Sequence, residues 1–190
     1  MKESVWQLLA EEIGSDGDPV PVAGGCINHC ALLTVPGSGR KVFAKTNSAD
    51  KLQMFEAEGI SLMALAATQT LRVPEVIRFG IVGDYSFLVL EHLPLVRGGA
   101  EEFRALGEKL AMLHRSASED GRFGFTVDNF IGATPQANPW HDRWVDFFTE
   151  DRIVPQLELA ARGGRVFAHG DQLVARIPDL LAGHEPQASL

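Results

Sequence analysis

The apolar residues change their spacing near Leu93, and that change limits what the chain can fold into. Before it, short apolar runs alternate with turn residues; after it, apolar residues recur at helical intervals. Three β-type runs (20–22, 30–35 and 41–45) are separated by Gly24-Gly25 and by Pro36-Gly37-Ser38-Gly39. A helical pattern over 51–67 places Leu52, Phe55, Gly59, Leu62 and Met63 on one face. Two more β-type runs, 73–81 and 85–90, are joined by a Gly83-Asp84 turn. Residues 1–14 read as a short amphipathic helix and 14–18 as a turn. Three strands, one helix and two strands predict an antiparallel sheet with a helix packed on one face.

Beyond a linker at 94–99, helix dominates. Phe103, Leu106, Leu110 and Leu113 mark one helix. Trp140, Trp144, Phe147 and Phe148 mark the start of another, which Pro155 must kink or divide. Residues 121–139 between them read as a long loop, rich in Gly, Asn, Pro and Thr. A last helical pattern over 172–181 carries Pro178 and ends at Gly183. The expected fold is α+β and protein-kinase-like. A β-rich N-lobe with one packed helix occupies 1–93, and the first helices of an α-helical C-lobe occupy 94–190. Nucleotide would bind in the cleft between the lobes.

Composition narrows the partners. With 25 acidic against 17 basic residues, the net charge of −8 argues against nucleic acid or an anionic membrane surface. No apolar stretch is long enough to span a bilayer, and the N-terminus lacks the apolar core and cleavage site of a signal peptide. Cys26 and Cys30 form neither a disulfide framework nor a zinc pattern, so a reducing cytoplasm is expected. Oligomeric state is not legible in the sequence.

A few residues could carry chemistry. Gly24-Gly25 lies between strands, where backbone amides can approach phosphate oxygens, although such a pair also makes an ordinary hairpin. Lys45 closes the third β-type run; facing inward it could hold nucleotide phosphates, and facing outward it is a solvated strand end. Glu56 and Glu58 on the following helix could each pair with it, and spacing does not choose between them. The run Phe87-Leu88-Val89-Leu90-Glu91-His92-Leu93 ends in a polar break that would serve equally as a hinge or as a plain strand end.

Several segments together resemble the fructosamine kinase (ketosamine kinase) family. They are Gly24-Gly25-Cys26-Ile27-Asn28, Phe43-Ala44-Lys45-Thr46-Asn47, Met54-Phe55-Glu56-Ala57-Glu58-Gly59, Arg72-Val73-Pro74 and Phe87-Leu88-Val89-Leu90-Glu91. The most diagnostic block is Asp128-Asn129-Phe130-Ile131-Gly132 with Pro135-Gln136, Asn138-Pro139-Trp140 and Trp144. General kinase-like proteins, including aminoglycoside- and choline-type kinases, lack that block. The resemblance implies an ATP-dependent kinase that phosphorylates the sugar of ketosamines, whether small molecules or glycated protein lysines, which then shed the sugar. It implies that Gly24, Gly25, Cys26 and Asn28 belong to the phosphate-covering loop, that Lys45 contacts the phosphates with Glu58 orienting it, and that Glu91, His92 and Leu93 form the adenine-binding hinge. Cys26, inside that loop, could be redox-sensitive or merely a small residue that fits.

The pattern breaks at phosphoryl transfer, which needs a base-positioned aspartate, a metal-binding asparagine and a second metal-binding aspartate. The family supplies them from a stretch reading His-Gly-Asp-Leu-Trp-Ser-Gly-Asn and a later Asp-Pro. His169-Gly170-Asp171 is tempting, but Arg176 stands where the asparagine belongs, and Gln172-Leu173-Val174 replaces Leu-Trp-Ser. Asp171 is therefore expected to cap the last helix, and His114 to be structural. The expectation is a fragment that stops before its catalytic motif: no catalytic residue, no metal ligand, Mg²⁺ bound only through the missing C-terminal part, and no activity alone. A truncated, non-catalytic nucleotide-binding module is the alternative.

Overall fold

The computed structural model describes residues 4–23, 27–118 and 120–189, so Gly24, Gly25 and Cys26 lie outside the described residues. The chain divides into two compact units, Met1–Leu110 and Ala111–Leu190.

In the first unit, α1 (Val5–Ile13) starts with a capping box: Gln7 N–H donates to the Ser4 hydroxyl, and Gln7 Oε1 accepts from Ser4 N–H. The strands β1 (Asp16–Pro21), β2 (His29–Thr34), β3 (Lys41–Ser48), β4 (Val76–Val82) and β5 (Tyr85–Glu91) form one sheet in the order β1-β2-β3-β5-β4, antiparallel throughout. The helix α2 (Leu52–Ala67) follows a single 3₁₀ turn after β3.

Alternation along the strands sorts the core into two layers. Leu33, Val42, Ala44, Phe87 and Val89 face α1 and enclose Leu9, with Trp6 and Ile13 at the margin. Leu88 and Leu90 face α2 and enclose Phe55, with Phe43, Leu62, Val76 and Phe79 around them. β5 is buried on both faces. The sheet therefore carries a helix on each side rather than on one, because the N-terminal helix has an apolar face of its own to bury. Full burial of Phe55 or Phe87 stabilises the unit by roughly 2–3 kcal/mol each. At Gly59 the helix comes so close to β4 that a Cβ would meet the Phe79 ring at 3.1 Å.

Several boundaries differ from the sequence reading for local reasons. β1 starts at Asp16, inside the expected turn, through an irregular register with β2. β4 starts at Val76 rather than at residue 73, since Pro74 has no N–H for a ladder. On α2, Met63 is exposed while Met54 and Ala57 are buried, so the packed face is rotated from the expected stripe.

The helix α3 (Ala100–Leu113) contains the boundary between the units; Phe103, Leu106 and Leu110 are exposed, Leu113 is buried, and His114 lies in an exposed turn just past its end. In the second unit the expected long loop holds a small hairpin, β6 (Asn129–Ile131) with β7 (Thr134–Gln136). Trp140 precedes the next helix instead of starting it; α4 (Trp144–Phe148) continues through a π-helical turn, Thr149–Ile153, into α5 (Val154–Arg162). Pro155, with no amide to donate, sits in the first turn of α5, and the wider π turn absorbs the break. In α6 (Gly170–Leu180) the N-cap position falls on His169, which makes no side-chain cap bond, and not on Asp171, which lies inside the first turn where its charge complements the helix dipole. Ser189 bridges back to Ala117.

Candidate functional site

Lys45 belongs to the α2 side of β3. Its neighbours Val42, Ala44 and Thr46 are buried, whereas Phe43, Lys45 and Asn47 alternate with them on the opposite face. From there the Lys45 ammonium reaches Glu58 Oε1 at 2.6 Å, with side chains 22% and 31% exposed. Glu56 is not the partner. Among the described residues this bond takes one of three ammonium donors, which leaves two for a further anion. Such a half-buried, charge-assisted bond is stronger than a surface pair.

Register places Cys30 beside Lys45 and Leu32 beside Phe43 on the same face of the sheet. Burial pushes the Cys30 thiol up; the Lys45 charge opposes that and Glu58 adds to it. The thiol therefore stays protonated at neutral pH and is a poor nucleophile. Leu32 and Phe43 give the face next to Lys45 an apolar floor. Asn47, two residues along β3, donates from Nδ2 to Asn28 Oδ1 at 2.8 Å and to the Ile27 carbonyl at 3.1 Å. Asn28 is thereby tied to the strand that carries Lys45. Neither Asn47 nor the Leu32–Phe43 floor was picked out as functional by sequence; strand alternation could have found the floor, but not the asparagine latch.

At the other end of β3, Val42 is registered with Glu91, the last residue of β5. The Glu91 carboxylate accepts from Arg72 Nη2 at 2.8 Å and from the Glu75 amide at 3.4 Å. The Glu75 amide and the Arg72 guanidinium hold its carboxyl below the usual carboxylate range. His92 and Leu93 follow as half-buried residues outside regular structure. The structure thus pairs Lys45 with Glu58, ties Asn28 to Asn47 on the Lys45 strand, and places Glu91, His92 and Leu93 at the far end of β3 and β5.

The second unit has a polar cluster of its own. Arg152, from the π turn, donates to the Ala137 carbonyl at 2.8 Å and to Asn138 Oδ1, and lies over the Phe147 ring at 4.2 Å. Asn138 donates to Val127 and accepts nothing from Asp128; instead its main-chain amide donates to Asp128 Oδ1 at 2.8 Å. Asp151 Oδ2 lies 2.7 Å from His141 Nε2, without the alignment of a hydrogen bond. Among the described residues no group of three or more His, Cys, Asp or Glu is arranged to hold a metal ion. No helix among them is long and apolar enough to cross a membrane.

The profile of the fructosamine kinase family matches residues 1–190. The chain belongs to the fructosamine kinase family. A probable ketoamine kinase of Synechocystis sp. is 43% identical over 192 residues, covering 97% of this chain and 64% of the relative. One from Escherichia coli K12 is 37% identical over 192 residues, covering 100% and 66%. The chain thus spans slightly less than two thirds of these relatives. A crystal structure assigned as a fructosamine-3-kinase from Haemophilus somnus 129PT superposes with a TM-score of 0.85 at 32% identity, over 98% of this chain and 63% of that one. An aminoglycoside phosphotransferase, in complex with ADP and hygromycin B, gives 0.53 at 18% identity over 93% and 61%. At that identity the likeness shows the kinase-like fold alone.

Proposed function

We propose that this chain carries the nucleotide-binding part of an ATP-dependent ketosamine kinase. The observation that carries the reading is the Lys45–Glu58 pair, half-buried, with ammonium donors to spare. A triphosphate suits it: Lys45 would hold phosphate oxygens, Glu58 would orient the ammonium, and the Gly24–Asn28 loop would cover the phosphates. The Leu32–Phe43 floor suits a planar base, whose edge would meet the backbone of Glu91 to Leu93. The ADP held by the aminoglycoside phosphotransferase supports a nucleotide on this fold. Bound ATP supplies the phosphoryl group.

The acceptor in this reading is the sugar hydroxyl of a ketosamine, fructosamine or ribulosamine, free or on a protein lysine, and the outcome is deglycation in the cytoplasm. These 190 residues bind nucleotide but do not complete the transfer. Asp171 sits in the first turn of α6 and Arg176 occupies the position of the metal-binding asparagine. Calorimetric titration of the purified chain with ATP tests the first part: measurable binding, lost in Lys45→Ala, is expected. Incubation with ATP and a fructosamine tests the second. Turnover that vanishes in Lys45→Ala would overturn the second.

A further inference from the structure

The charges at the hinge end of the sheet come from three separate segments. Arg72 and Glu75 lie in the connection from α2 to β4, Glu91 ends β5, and Arg40 closes the β2–β3 turn. Arg72 Nη2 bonds Glu91 Oε1 at 2.8 Å, Glu91 N–H donates to the Glu75 carbonyl at 2.8 Å, and the Glu75 amide returns a 3.4 Å bond to Glu91 Oε2. Arg40 Nη2 stands 3.6 Å from Glu75 Oε2. Glu91 is the last residue of the ladder, since residues 92–99 carry neither helix nor strand. The direction in which the chain leaves the sheet is therefore set at Glu91, and three bonds to residues 72 and 75 hold it.

The Arg72 side chain is 72% exposed, and an ion pair so wet contributes little to stability. Its geometry matters more than its Coulomb energy, because it pins one oxygen of a carboxylate whose other oxygen is pinned by a backbone amide. We propose that Arg72 is a positioning residue that acts through Glu91 to aim the hinge peptide groups at the edge of the nucleotide base. This rests on the nucleotide reading above and adds to it a residue whose role is base discrimination.

The test uses the full chain and two probes, ATP and inosine triphosphate, in which a carbonyl oxygen replaces the adenine amino group. Arg72→Ala should weaken ATP binding about fivefold, the worth of one hydrogen bond, and lower the preference for ATP over inosine triphosphate by a similar factor. Its melting temperature should stay within about 2 °C of the unaltered chain. Arg72→Lys, which restores a charged donor, should recover most of the preference. Arg72→Gln, which keeps much of the bulk, serves if the alanine variant fails to fold. Unchanged ATP binding, or equal weakening toward both nucleotides, overturns the role of Arg72 while leaving the nucleotide site standing. Failure of the unaltered chain to bind ATP overturns both.

Discussion

Two groups of charges, one in each unit, use similar chemistry to opposite ends. Among the described residues the Lys45–Glu58 pair leaves two of the three ammonium donors unspent on a half-open sheet face. The Arg152 cluster turns inward: its guanidinium meets two main-chain carbonyls and one amide oxygen, with a phenyl ring against its face. Burial also pulls Arg152 down from its ordinary value, opposed by Asp151, yet a guanidinium remains charged. A cation with spare donors suits something that arrives, whereas a cation with three of its five donors taken by its own chain holds a loop in place. On the proposed reading, the difference separates a binding residue from a structural one.

That contrast can be broken by substitution. The largest expected effect is on Lys45: Lys45→Ala should weaken ATP binding about 30-fold or more, the loss of charge-assisted bonds, with little change in melting temperature. Calorimetry and a thermal melt on the same samples check both halves. Arg152→Ala should do the reverse, lowering unfolding free energy in urea by about 2 kcal/mol through the stranded Asn138 and Ala137 oxygens, with ATP affinity unchanged. Loss of ATP binding in the Arg152 variant would break the contrast. Gly124→Ala should cost about 1–3 kcal/mol, since Gly124 has φ +147° and a Cβ there would stand 2.5 Å from the Pro139 carbonyl oxygen. The smallest effect concerns pH. Glu91, held below its usual range by the Glu75 amide and then by Arg72, contributes stability at neutral pH that disappears as pH falls through its lowered value. Urea unfolding between about pH 6 and pH 3 should show a slightly flatter acid limb for Glu91→Gln.

Much of the first unit was legible because strand alternation is a strict code. Val42 and Ala44 on one side of β3 necessarily put Phe43 and Lys45 on the other. Helical spacing did not choose between Glu56 and Glu58, since that depends on how α2 is rotated; the family resemblance pointed to Glu58, which is the residue paired with Lys45. That rotation buries Met54 and Ala57 and exposes Met63, which the apolar stripe alone did not indicate. The Arg72–Glu91 bond joins residues 19 apart on different segments, and no local pattern encodes it. In the second unit, Pro155 was read as a break, but the π turn that absorbs it follows from the bonding needs of the turn before it. Asp171 looked like a cap, yet His169, with left-handed backbone at φ 64°, holds the N-cap position and the helix starts two residues earlier.

Gly59 has no side chain and so no chemistry, but it is the immediate neighbour of Glu58. The 3.1 Å clearance to the Phe79 ring acts as a mechanical stop that sets how deeply α2 seats on the sheet. A methyl group inserted there would raise the helix by a few tenths of an ångström and carry the Glu58 carboxylate with it, stretching a bond that now measures 2.6 Å. The tolerance of a charged pair is thus machined by an apolar contact one residue away. Drift at that contact would be felt first in ligand affinity, before the fold itself began to fail.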